Sequence, residues 1–104
     1  MYRYRATQQV LYGRFNEFLK AWQELNIIFH RRGWPEASVW VPTVGTGNEV
    51  VLEMDFPDLA DFQKWYQAFQ ADLEGMNLYR GTKDVVVQGS LHDELIERVM
   101  KPIA

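Results

Sequence analysis

The sequence contains no cysteine, which excludes disulfides, zinc–thiolate sites, iron–sulfur clusters and thiol nucleophiles. It has no apolar run near the ~20 residues of a membrane-spanning helix. The chain also begins with basic residues that no apolar signal segment follows. With 11 basic and 14 acidic side chains, it lacks the basic surface typical of nucleic-acid binding. We therefore predict a cytoplasmic protein that binds neither membranes nor nucleic acid.

No repeat, low-complexity tract or linker interrupts the 104 residues, so we predict one domain spanning 1–104. Aromatic side chains make up 14% of the chain. That content is enough for one core, and it is more than such a short chain buries easily. The excess indicates a second burial surface, such as a partner subunit or a ligand.

The first part of the chain predicts a strand followed by a helix. Residues 2–11 alternate between two sides, as in a half-buried strand. Apolar residues then recur at helical spacing from Arg14 to Arg32. Gly33 suits the left-handed residue that ends a helix, and Pro35 prevents its continuation.

The remainder predicts a hairpin, a helix, a strand and a short helix. Pro42 cannot donate to a neighbouring strand, so the first hairpin strand is predicted at a sheet edge. The predicted elements are strands 38–44 and 48–56, a helix from Asp58 to Gly75, a polar loop at 76–83, a strand at 84–88, and a C-terminal helix that begins at the capping pattern of Ser90 and ends before Pro102.

The order β-α-β-β-α-β predicts a ferredoxin-like α+β fold, with a four-stranded antiparallel sheet, two helices on one face and the short C-terminal helix. Two helices cover only one face of such a sheet. Strands 1 and 3 are neighbours in this topology, so an arginine of strand 1 can face an acid of strand 3. We expect a homodimer that covers the uncovered face, whose predicted residues are Arg3, Arg5, Thr7, Gln9, Trp40, Val51, Glu53, Asp55 and Val86.

Two stretches resemble the dimeric α/β barrels, in particular the NIPSNAP-like and antibiotic-biosynthesis-monooxygenase-like families. Residues 13–19 (GRFNEFL), with Trp22, are similar to the opening of helix 1 in those families. Residues 50–65 (VVLEMDFPDLADFQKW) are similar to their passage from strand 3 into helix 2. The resemblance implies a ferredoxin-like subunit, sheet-to-sheet dimerisation and a cavity that members use for cofactor-free oxygenation, isomerisation or other chemistry.

A haem-degrading branch of these families uses an asparagine on strand 1, a tryptophan in helix 2 and a histidine shortly after it. This chain has Trp65 in the matching helix, but strand 1 contains no asparagine and no histidine lies between His30 and His92. We therefore predict no haem and no other cofactor. The two histidines also lack the spacing of a metal site, so no metal is predicted.

The candidate residues for a ligand cavity are Arg5, Trp40, Glu53, Asp55 and Trp65. Glu53 and Asp55 share a strand face and are candidates for an acid–base pair, because like charges raise one pKa. The alternative is a salt-bridged sheet face. The sequence thus leaves two functions open: a small-molecule-binding protein or cofactor-independent oxygenase or isomerase, and a non-catalytic dimeric binding or interaction module.

Overall fold

The computed structural model describes residues 1–103 and contains a four-stranded antiparallel sheet with α-helices against one face. The strand order is β2-β3-β1-β4, which confirms the predicted ferredoxin-like α+β class. Among the described residues, no helix is both long enough and apolar enough to cross a membrane. The elements are β1 (Tyr2–Gln9), α1 (Phe15–Arg32), β2 (Ser38–Trp40), β3 (Glu49–Phe56), α2 (Leu59–Ala71), α3 (Leu73–Gly81), a 3-10 turn (Thr82–Asp84) and β4 (His92–Glu97).

The centre of the sheet is the antiparallel pair of β1 and β3, and alternation decides which side chains face the helices. Arg3 is registered with Asp55, and Ala6 with Leu52. Even-numbered residues of both strands point to the helices, and most of them are buried. Odd-numbered residues point to the other face. The sheet therefore separates a helix-covered core from a face without helices.

Helix α1 confirms the predicted amphipathic stripe, because most of the apolar residues at helical spacing are buried, although Phe15 at its start is exposed. Phe18, Leu25 and Phe29 are fully buried. Gly33 ends the helix with φ of 74°, and its N–H bonds back to the last turn.

Helices α2 and α3 meet at Asp72, where sequence periodicity predicts a single helix continuing to Gly75. The Asp72 carboxylate accepts a hydrogen bond from the Gly75 N–H at 3.3 Å and caps α3. Gly75 also permits close packing, since a Cβ there would lie 3.0 Å from the Phe69 ring. The break lets α3 turn back against α1 and α2. This helix replaces most of the polar loop predicted at 76–83.

We expect Asp72→Ala to lower the free energy of unfolding by about 1 kcal/mol at pH 7, as loss of a helix N-cap does. The Arg32 hydrogen bond at 2.8 Å holds the pKa of Asp72 below its ordinary value. A depressed folded-state pKa stabilises the fold above the unfolded pKa, and this stabilisation is lost as the pH falls through the folded value. The difference in free energy of unfolding between wild type and Asp72→Ala should therefore be smaller in urea titrations at pH 3 than at pH 7. The exposed Glu24→Ala control should change stability little at either pH, and an equal loss in both variants would contradict the cap.

The C-terminal part of the fold differs from the prediction. Residues 92–97 form the edge strand β4 beside β1, and no C-terminal helix follows Ser90 in the described residues. The valines at 85–87, predicted as strand 4, contribute only an isolated bridge between Val86 and Val10. Val86 packs against the helix-side core, so its predicted place on the uncovered face is wrong. The fourth strand exists, but it lies about eight residues further along the chain.

Candidate functional site

Four of the five predicted site residues lie on the sheet face without helices, which we call the open sheet face. Arg5 Nε donates to Glu53 Oε2 at 2.9 Å, and Arg3 donates to both carboxylate oxygens of Asp55 at 2.8 and 3.2 Å. Trp40, on the edge strand β2, is 56% exposed and lines a shallow groove with Arg5 and Glu53. The predicted pairing of arginines and carboxylates across β1 and β3 is confirmed.

These ion pairs determine what the two carboxylates of β3 can do. The hydrogen bond from Arg3 holds the pKa of Asp55 below its ordinary value, so Asp55 is ionised at neutral pH. Glu53 lies between two guanidinium groups, at 2.9 Å from Arg5 and 3.8 Å from Arg3. An acid–base pair needs one carboxyl group with a raised pKa. The geometry therefore favours the salt-bridged alternative for this face.

The fifth predicted residue, Trp65, lies on the opposite side of the sheet. Its ring in α2 is 6% exposed and packs against Phe29, Phe56 and Phe69 at centroid distances of 5.5 to 6.0 Å. The sheet thus stands between Trp65 and the other four residues. The five predicted residues do not form one site.

A cavity of about 230 Å³, which we call the helix–sheet cavity, lies between the sheet and the helices. It forms beside Ala6, whose small side chain leaves room between its larger neighbours on β1. Aromatic rings from α1, α2 and α3 make up much of its wall. The apolar part of the lining is Ala6, Trp22, Leu52, Met54, Trp65 and Phe69.

One buried amide belongs to the lining of this cavity. Gln8 follows Ala6 on the helix-facing side of β1 and is 8% exposed. Its side chain forms no hydrogen bond with another of residues 1–103, and its amide atoms keep some accessible surface within the cavity lining. A carboxamide offers both a donor and an acceptor. Gln8 is therefore a buried polar group that a molecule in the cavity can contact.

A tyrosine–aspartate pair lies at the edge of the cavity, where Asp93 is exposed to solvent. The Tyr4 hydroxyl donates to Asp93 Oδ2 at 2.9 Å and links β1 to β4. Burial, and then the hydrogen bond to Asp93, raise the pKa of Tyr4, so this hydroxyl stays protonated and keeps donating. Burial likewise raises the pKa of Tyr79, with a further contribution from the Asp93 charge.

The tryptophans of the cavity wall act as packing surfaces. The indole Nε1 groups of Trp22 and Trp65 are buried and have no hydrogen-bond partner among the described residues. Trp22 meets Tyr79 at 81° and 6.2 Å, and Trp65 meets Phe29 at 81° and 6.0 Å. Such edge-to-face packing is favourable between aromatic rings. The other polar groups in the lining are the amides of Gln8 and Gln70, the hydroxyls of Tyr66 and Tyr79, and the tyrosine–aspartate pair.

Neither a protein-family model nor a curated protein matches this sequence, but solved structures match its fold. An uncharacterized NIPSNAP domain protein from Burkholderia xenovorans is similar with a TM-score of 0.78 and 17% identity, over 98% of this chain and 99% of that one. A NIPSNAP family protein of unknown function from Agrobacterium tumefaciens has a TM-score of 0.75 and 18% identity, over 92% and 86%. An antibiotic biosynthesis monooxygenase has a TM-score of 0.72 and 14% identity, over 96% and 100%.

The chain has the NIPSNAP-like fold. The resemblance predicted from residues 13–19 and 50–65 is thus confirmed for the fold, which the antibiotic biosynthesis monooxygenases share. One fold carries many unrelated activities, so a function must be argued from the side chains of a site. In this chain the two candidate places are the open sheet face and the helix–sheet cavity.

The predicted site omits the polar residues of the helix–sheet cavity, although one of them has a signal in the sequence. Gln8 interrupts the helix-facing row of β1 between Ala6 and Val10, where a polar residue without a partner is unusual. Asp93 has no such signal, because its surroundings predict a helix N-terminus. Of the described residues, no three histidines, aspartates or glutamates are grouped as metal ligands.

Proposed function

We propose that this chain binds a small, mostly apolar organic molecule in the helix–sheet cavity. The observation that carries the proposal is the cavity itself, whose wall of aromatic and aliphatic side chains includes the Gln8 residue with an amide that has no partner among residues 1–103. Small-molecule pockets combine such walls with a few polar groups that orient the ligand. A volume of about 230 Å³ lies below the ~300–1,000 Å³ of pockets for drug-sized ligands, so a molecule of one or two rings suits it.

A cofactor-independent oxygenase or isomerase is the enzymatic form of this proposal, and one structural neighbour is named an antibiotic biosynthesis monooxygenase. In such enzymes a side chain takes a proton from the bound molecule. Asp93 is a carboxylate in the cavity lining, whereas Glu53 and Asp55 lie across the sheet. Asp93 is therefore the carboxylate placed to contact a molecule in the cavity, and the cavity itself supports binding.

The test of the cavity is a variant that fills it. We expect Ala6→Leu to weaken binding of 2-naphthol, a two-ring alcohol, by at least about tenfold in calorimetric titrations, because the added side chain occupies the ligand's space. Thr7→Leu adds similar bulk at the next residue, on the opposite face of β1. It should leave binding unchanged. Equal affinity in both variants, or no binding by the wild-type protein, would overturn the proposal.

We also propose that a second copy of this chain covers the open sheet face. Trp40 and Ile96 are 56% and 41% exposed there, next to arginines and carboxylates. A two-fold dimer places the same surface on both subunits. A patch that carries apolar groups and both signs of charge can therefore complement itself. This dimer is also the basis of the second candidate function, a non-catalytic binding or interaction module.

A further inference from the structure

We infer that the molecule bound in the helix–sheet cavity carries a hydroxyl or amine group that donates a hydrogen bond to Asp93, with Tyr4 positioning the carboxylate. The inference rests on the proposed function, binding in this cavity. It adds the chemical class of the ligand, which is an apolar ring system with a hydrogen-bond donor. It also names the residue that selects this class.

The pairing of β4 with β1 brings the Asp93 side chain to the cavity. Asp93 is registered with Ala6, the small residue beside which the cavity forms. The Tyr4 hydroxyl donates to Oδ2 at 2.9 Å, which orients the carboxylate and leaves Oδ1 with acceptor capacity. An ionised carboxylate only accepts hydrogen bonds, so its further partner must be a donor.

Asp93 differs from its neighbours in having no basic partner. Glu94, the next residue, lies 3.9 Å from Arg5, and Asp55 lies 2.8 Å from Arg3. Within residues 1–103, no arginine, lysine or histidine forms an ion pair with Asp93. The titratable groups that line the cavity with it are the tyrosines Tyr4, Tyr66 and Tyr79. Asp93 is exposed to solvent at the edge of the cavity, so its carboxylate is open to a ligand that enters there, and without a cation it can accept from the donor group of that ligand.

Gln8 supplies a further polar group in the cavity lining. It lies two residues along β1 from Ala6, a separation of about 7 Å by strand rise. A ring system held at Asp93 by its donor group extends along β1 towards this amide. Gln8 can then donate to or accept from a second polar group, while the tryptophan rings pack against the frame.

The test compares 2-naphthol with 2-methoxynaphthalene, in which a methyl group replaces the hydroxyl hydrogen and so removes the hydrogen-bond donor. We expect wild-type protein to bind 2-naphthol at least about tenfold more tightly in calorimetric titrations, because only the hydroxyl can donate to a charged acceptor. Asp93→Asn should weaken 2-naphthol binding about tenfold and leave 2-methoxynaphthalene unchanged. Tyr4→Phe removes the hydrogen bond to Asp93 and keeps the carboxylate. It should weaken 2-naphthol binding less than Asp93→Asn does and again leave 2-methoxynaphthalene binding unchanged. Glu94→Gln changes the adjacent carboxylate on the opposite face and should alter neither affinity.

The outcomes separate this inference from the proposed function. If both probes bind equally and Asp93→Asn changes neither, the cavity binds ligands but Asp93 does not select them, and the inference is overturned. If neither probe binds wild-type protein, the cavity proposal fails and the inference fails with it. A loss of both probes in Asp93→Asn, with an altered circular dichroism spectrum, would indicate a structural role and would also count against selection. Selective loss of 2-naphthol with an unchanged spectrum supports the inference.

Discussion

Phe29→Ala should lower the free energy of unfolding by about 3–5 kcal/mol, the usual cost of removing a buried aromatic ring. Phe29 is fully buried, and its ring contacts Trp22, Trp34, Trp65 and Phe69 at centroid distances of 5.0 to 6.4 Å. These rings belong to α1, α2 and the segment after α1, so they cannot all move into the space left by the substitution. Because small domains are stable by only about 5–15 kcal/mol, the variant should lose a large fraction of its stability.

Guanidinium titrations followed by circular dichroism measure this effect. Ile27→Ala is the matched control, since Ile27 lies two residues earlier on α1 and is 61% exposed. It should change stability by less than about 0.5 kcal/mol. Comparable losses in the two variants would show that Phe29 is not the centre of the core.

The elements that could be predicted from sequence are those whose signals are local. Helix α1 has one apolar stripe, a glycine in the left-handed conformation at its end, and a following proline. Strands β1 and β3 alternate cleanly, so their two faces and the pairs Arg3–Asp55 and Arg5–Glu53 follow from the topology. In each case the residue pattern and the tertiary environment favour the same structure.

The C-terminal segment could not be predicted because its structure depends on a distant strand. The pattern from Ser90 to Asp93 is typical of a helix N-terminus. In the structure, however, the Ser90 hydroxyl donates to the Val87 carbonyl at 2.7 Å and accepts from the Gln9 N–H at 3.1 Å. Residues 92–97 then pair with the free edge of β1. Pairing with this edge outweighs local helix propensity.

Dependence on contacts that are distant in sequence also explains why the predicted site lacks Asp93. Alternation predicts that Arg5, Glu53 and Asp55 share a face, and they do. It cannot show that Asp93 reaches the Tyr4 hydroxyl, because that contact spans 89 positions in sequence. Trp65 is predicted beside the apolar stripe of its helix, yet it lies in the core while Tyr66 is 45% exposed. Trp65 and Tyr66 are adjacent on α2, so a shift of the buried helix face by one residue determines which of the two rings lies in the core.

The proposed ligand cavity and the proposed dimer interface lie on opposite faces of the sheet. Residues that line the helix–sheet cavity lie on the even-numbered side of β1, and those of the open sheet face lie on the odd-numbered side. Substitutions on adjacent residues of one strand therefore test ligand binding and assembly separately. A change in one property without the other would show that the two surfaces act independently.

We expect Val51→Glu to convert a dimer into monomers, with a dissociation constant raised by at least about 30-fold. Val51 is registered between Thr7 and Trp40, near the middle of the open sheet face. A two-fold dimer contains the substitution twice, so two carboxylates without partners would enter one interface. Light scattering and sedimentation of wild-type and variant protein at micromolar concentration measure the change.

Ile27→Glu is the control for this experiment, because it introduces the same charge at an exposed aliphatic residue on α1, away from the sheet. It should leave the dissociation constant unchanged. Circular dichroism should show both variants folded, since Val51 faces away from the core. A wild-type protein that is monomeric at these concentrations, or equal dissociation in both variants, would rule out the open sheet face as the dimer interface.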